Sequence, residues 1–196
     1  MTRICMTALA CLLLLCSGAF AQQQQQQQGG SKQKLPDRTF GVHISGTLKV
    51  MDAYGKELEK REYICQRVCD PANNSFTEHY MSWIGMDTNS LREWEVSYEL
   101  DGNDFTMSRE DFYEGTGKLT GRAWSWDDIE YSYVDKDGLT FNLSGEFSGK
   151  DCQRAAVVLD KQGNVHRLIE DNSKVVTEED YAIMQALYYR IKAGYN

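Results

Sequence analysis

Proline is nearly missing from this chain: among 196 residues only Pro36 and Pro71 carry the ring. Little therefore interrupts strand ladders beyond residue 71. Histidine is scarce as well. His43, His79 and His166 fall on separate predicted strands, so spacing alone assembles no metal or acid–base triad. Positive charge is outnumbered, with 21 Lys and Arg against 29 Asp and Glu, a net charge of -8. With no basic stripe to offset it, that balance argues against nucleic acid and anionic membrane surfaces as partners. Catalytic signatures are missing too. There is no Gly-x-Ser-x-Gly elbow. Gly115-Thr116-Gly117-Lys118-Leu119 lacks the Ser or Thr that a phosphate loop needs after its Lys. Asp135-Lys136-Asp137-Gly138 opens like a calcium loop, but the later ligands do not follow, so it reads as a hairpin turn. The chain reads as a non-enzyme without cofactor or metal.

Cysteine is short where it would matter. Three of six lie in the first 16 residues, leaving Cys65, Cys69 and Cys152. In one extended strand Cys65 and Cys69 would stand ~13 Å apart, too far for a disulfide. Either Cys69 bends back in the turn at Asp70-Pro71, or one of the two bridges to Cys152. The long-range bridge is the expectation, since oxidising compartments favour pairing. A lone Cys-x-x-x-Cys is a weak zinc signal.

What the N-terminus does have is a leader. Arg3 precedes an apolar run from Ile4 to Leu15 that is too short for an ordinary membrane helix, and Ala19-Phe20-Ala21 is a small-x-small cleavage signal. Residues 1–21 are expected to be a secretory signal peptide. Arg3 is its only charge, so cleavage would move the net charge from -8 to -9. Leu13-Leu14-Leu15-Cys16 offers a rival reading, a lipobox that would anchor Cys16 to the outer membrane; this is the only route by which a membrane enters the expectation. Residues 22–34, a glutamine run followed by Gly29-Gly30-Ser31, read as a flexible tether. Residues 35–196 are the size of one domain.

Alternation dominates that domain. In Leu91 to Leu100, Trp94, Val96, Tyr98 and Leu100 share one parity, and Glu93, Glu95, Ser97 and Glu99 the other. That is a half-buried strand with a wet side. Asp101-Gly102-Asn103 reverses the chain. Phe105 and Met107 continue the pattern, then a strand ending at Trp124-Ser125-Trp126, one with Ile129, Tyr131 and Tyr133, and one through Phe141 after the turn at Asp137-Gly138. Upstream, Phe40 to Met51 reads as a strand in which Gly46 permits a bulge or bend. Leu58 to Val68 has poorly sorted faces. Phe76 to Ile84 carries aromatics on both parities, as suits a strand with the interior on one side and a loop or helix on the other. Cys152 to Leu159 and Val165 to Ile169 complete the count. The period then changes. Thr177 caps a helix start with Glu178, Glu179 and Asp180 in the first turn, and Tyr181, Met184, Leu187, Tyr188 and Ile191 form one apolar stripe. The fold class is mainly β: an antiparallel up-and-down meander barrel of about 8–10 strands with one C-terminal amphipathic helix, about 177–192.

Glu93-Trp94-Glu95-Val96, Gly117 to Trp124, and Asp137-Gly138-Leu139-Thr140 together resemble small secreted bacterial calycin-type (lipocalin-like) proteins, over roughly Phe40 to Ile191. The resemblance implies a closed barrel around a pocket for an apolar small molecule or lipid. Trp94, Tyr98, Trp124, Trp126, Tyr131, Tyr133 and Phe141 are the candidate walls, and Arg122, on the parity of Trp124, could anchor a ligand carboxylate. Two functions follow: an exported binding protein, periplasmic or secreted, holding a hydrophobic or amphipathic guest, or a cell-envelope structural and interaction module with a filled core. A transmembrane barrel would instead need Glu93, Glu95 and Glu99 in its lumen.

Overall fold

In a computed structural model the described residues are 39–102, 104–109, 115–119 and 129–194. The expected leader, tether and lipobox at Cys16 lie outside them, as do Arg122, Trp124 and Trp126. Ten strands follow one another: β1 (Phe40–Asp52), β2 (Glu57–Asp70), β3 (Ser75–Trp83), β4 (Arg92–Asp101), β5 (Asp104–Ser108), β6 (Gly115–Leu119), β7 (Ile129–Val134), β8 (Thr140–Ser148), β9 (Asp151–Leu159) and β10 (Val165–Val176). Each pairs antiparallel with its sequence neighbours, and β1 pairs with β10, so the meander closes into a barrel. Every described strand thus has a neighbour on each side along at least part of its length, which limits the edge left for another chain. The architecture is the expected one and is compatible with a calycin-like fold.

Short turns make this topology. Gly55, Gly102, Gly138 and Gly163 hold positive φ, where a side chain would be strained. Between β2 and β3 the work falls to Asn74 at φ 48. The Asp135 carboxylate accepts from the amides of Asp137 and Leu139, each at 2.9 Å, fixing the turn that only resembled a calcium loop.

One helix, α1 (Glu178–Lys192), follows β10 directly. Thr177 caps it by accepting from the Asp180 amide at 3.1 Å. Tyr181, Tyr188 and Ile191 pack with Ile64, Met81 and Trp83 from the outward faces of β2 and β3. This explains both puzzling strands. Aromatics stand on both parities of β3 because one face looks into the barrel and the other lies under α1. The faces of β2 look unsorted because both are covered: Tyr63, Cys65 and Cys69 belong to the interior cluster, and Ile64 lies beneath the helix. Leu187 does not join its stripe mates and is 36% exposed.

Two expectations need correction. Cys65, Cys69 and Cys152 are free, buried thiols. Cys69 stays in β2 instead of bending back. Cys152 sits on β9, three strand spacings from β2, ~14 Å along the sheet, beyond disulfide reach. Burial pushes the thiols of Cys65 and Cys152 up and that of Cys69 up to about 11, which disfavours the thiolate form in all three. Gly46 makes no bulge; the register of β1 against β2 shifts at Val50/Met51 instead.

Candidate functional site

The barrel interior has two halves. On the β2–β3 side Arg67 sits between Cys65 and Cys69, and Glu78 between Phe76 and Tyr80, all on the inward parity. Arg67 and Glu78 are partners in register and are 2% and 1% exposed. Arg67 donates to Glu78 Oε1 through Nη2 at 2.7 Å and Nε at 3.1 Å. Tyr80 and Tyr98 donate their hydroxyls to Oε2 at 2.8 and 2.9 Å. Burial pushes the Glu78 carboxyl up, but the guanidiniums of Arg67 and Arg154 and these hydrogen bonds outweigh it and hold the group below its ordinary value.

A second polar cluster spans the closing seam. Tyr63 on β2 donates to Asp171 on β10 at 2.8 Å, and Arg154 on β9 donates to Asp171 Oδ2 at 2.8 Å through Nε. The Tyr63 ring reaches Asp171 by crossing β1 at Gly46. A Cβ there would stand 2.6 Å from Ser173 Cβ and 2.7 Å from the Tyr63 ring, so only glycine leaves room for the clip. Gly145, opposite Arg154 in register, lies against the arginine side chain in the same way.

The other half is aromatic. Rings follow one another from Phe76 to Tyr98 (4.2 Å between centroids), Phe105 (5.6 Å), Tyr131 (5.8 Å), Tyr133 (6.0 Å) and Phe141 (4.7 Å). Phe105 and Tyr131 touch across β6 at Gly117, which pairs with both. Trp94 stacks on Tyr80 at 4.9 Å, and the Arg109 guanidinium lies 5.1 Å above the Trp94 ring centroid.

Burial separates the β7–β8 wall from the rest of the interior. Ile44, Tyr63, Cys65, Phe76, Tyr80 and Tyr98 are buried. Tyr131, Tyr133, Phe141 and Leu143, the inward side chains of β7 and β8 that are described, are all half-buried, as is Trp94. Of the expected wall residues, Trp94, Tyr98, Tyr131, Tyr133 and Phe141 thus share the interior. Tyr98 differs from the rest, because its hydroxyl is taken by Glu78. Sequence reasoning missed Arg67, Glu78, Arg109, Arg154 and Asp171. The signal was a charge on an aromatic parity, as in Phe76-x-Glu78-x-Tyr80.

Away from α1, the outward face of β4 is largely acidic. Glu93, Glu95 and Glu99 point out and are exposed, so the lumen that a transmembrane barrel needs is not formed by them. A hollow of about 910 Å³ opens on the outside over β4 to β8, edged by Glu99, Asp101, Asp104 and Glu130. A groove of about 520 Å³ runs beside α1, between Met184 and Leu187 and the strands carrying Thr47 and Asn172. Among the described residues no cluster of His, Cys, Asp and Glu is arranged to hold a metal.

Comparison with protein-family models and with curated proteins finds no match.

Proposed function

We propose that the protein is an exported binding protein that holds a hydrophobic or amphipathic small molecule or lipid inside its barrel, against the β7–β8 wall. One observation carries the reading: in a closed barrel, the inward aromatics Tyr131, Tyr133 and Phe141 keep exposed surface, whereas inward residues of β2 and β3 do not. An aromatic wall with a few placed polar groups is the usual make-up of a small-molecule site. The leader read from Arg3 to Ala21 supports export, and the likeness to secreted bacterial calycins belongs to the same reading. A filled-core envelope module is the second reading, favoured by the ion pairs Arg67–Glu78 and Arg154–Asp171. Native mass spectrometry of the full chain, purified without detergent, tests the choice. The expected result is a small-molecule adduct that is lost when Tyr133 and Phe141 are both replaced by Ala. Bare protein alone, with no apolar probe taken up, overturns the binding reading in favour of the module.

A further inference from the structure

We propose that the groove beside α1 is a binding site in its own right, for an uncharged saccharide of more than one ring held against the outer wall of the barrel. It is separate from the interior and does not depend on a guest there.

The groove encloses about 520 Å³, within the ~300–1,000 Å³ usual for small-molecule sites. Its floor is a row of side chains that the register brings into line across the sheet. Gln153 on β9 stands opposite Asn172 on β10, Asn172 opposite Thr47 on β1, Thr47 opposite Glu62 on β2, and Glu62 opposite Trp83 on β3. Adjacent strands lie ~4.8 Å apart, so the row from Gln153 to Glu62 spans ~14 Å. Among the described residues, the amides of Gln153 and Asn172 and the hydroxyl of Thr47 have no hydrogen-bond partner in the chain. Glu62 is held in place: Trp83 donates from Nε1 to its Oε2 at 2.7 Å, which leaves Oε1 to accept. Trp83 itself is 3% exposed, so it positions the carboxylate and offers no ring face. The floor thus presents donors and acceptors together. The facing wall is apolar, made by Met184 and Leu187 of α1. Leu187, which stands apart from its stripe mates, has its place here. A sugar ring matches both sides, with hydroxyls around its rim and C–H bonds on its face. Other guests fit less well. Glu62 and Asp151 outnumber Lys174 at the groove, which disfavours an anion. Met184 and Leu187 alone are too little apolar surface for a lipid chain. The floor strands are paired on both sides, so an extended peptide finds no edge to join.

Heteronuclear NMR on the isotope-labelled full-length protein tests this, with maltotriose, cellotriose and triacetylchitotriose as probes and glycerol as the control. At least one of the trisaccharides is expected to shift the side-chain amide signals of Gln153 and Asn172, with a Kd of about 1 mM, the sum of a few ordinary hydrogen bonds. Glycerol, which has hydroxyls but no ring, should leave them in place at the same concentration. Gln153→Ala combined with Asn172→Ala, both at exposed positions, should weaken the binding about tenfold, read on the backbone amide of Thr47. No shift with any of the trisaccharides, equal shifts with glycerol, or shifts gathered on β7 and β8 overturn the proposal. So does undiminished affinity in the double variant. None of these results bears on the interior guest, which native mass spectrometry decides separately.

Discussion

Inside the barrel, Glu78 and Asp171 each grip a guanidinium. Between α1 and the outward faces of β2 and β3, Ile64, Met81, Trp83, Tyr188 and Ile191 meet with no ion pair among these described residues. The usual arrangement is thus inverted: the charges sit at the centre and the dry apolar packing lies on the flank. The two regions supply different things. Full burial of Ile64 and Ile191, both at 0% exposure, is worth about 2–3 kcal/mol per side chain. Buried ion pairs roughly break even against apolar replacements, because desolvation offsets the Coulombic gain. Their value here is geometric. Arg67–Glu78 links β2 to β3, and Tyr63–Asp171–Arg154 links β2, β10 and β9 across β1, so a strand slipped by one residue would turn these groups outward. On this comparison the helix layer stabilises the barrel and the inner clusters select its register.

The sharpest way to break the comparison is to remove half of an inner pair. Glu78→Ala leaves Arg67 buried without its carboxylate and should lower the unfolding free energy in urea by about 3–5 kcal/mol. The double variant Arg67→Met with Glu78→Leu should lose much less. If both lose the same amount, the pair is a net stabiliser and the contrast fails. The pH dependence has a definite sign. The Glu78 carboxyl is held below its ordinary value of 4.5 by Arg67 despite burial. Its contribution is therefore fully present above that ordinary value and is lost as pH falls through the lowered one. The double variant should show a shallower acid loss.

Next in size is the flank. Ile191→Ala opens a cavity under α1 and should cost about 3 kcal/mol by the same denaturation measurement. It should leave the inner network intact, so that its effect adds to that of Glu78→Ala; strong coupling between them would mean that the two regions are one core. The smallest expected effect is Gly46→Ala, which crowds the Tyr63 ring and should cost about 2 kcal/mol. Amide exchange should locate the damage at β1 and β10. Loosening confined to β4–β8 would show that the clip does not hold the seam.

The difference between the regions also explains what could be read in the chain. Strands whose outer face meets water, such as β4 with Trp94, Val96 and Tyr98 against Glu93, Glu95 and Glu99, announced themselves by alternation. The helix was legible from Thr177 and the stripe at Tyr181, Tyr188 and Ile191, because capping and period are local. Arg67, Arg154 and Asp171 were not legible as interior groups. A charged side chain on a strand signals solvent unless its partner is known, and Asp171 lies 108 positions from Tyr63. The role of Gly46 was hidden for the same reason, since the ring that needs its missing side chain arrives from another strand. The disulfide expectation failed because an odd cysteine count speaks of compartment and says nothing of distance.

Closure of the ring by β1 and β10 has a consequence for biosynthesis. Ile44 pairs with Val175, 131 positions later (175 − 44). As the chain emerges from the ribosome, β1 gains β2 almost at once, but its other edge faces solvent until nearly the whole domain has been translated. Through that interval it is a row of unmet amides and carbonyls of the kind that recruits stray chains. Such long-range closure also belongs to the slow end of single-domain folding. The earliest strand of the barrel to be made is among the last to have both its neighbours.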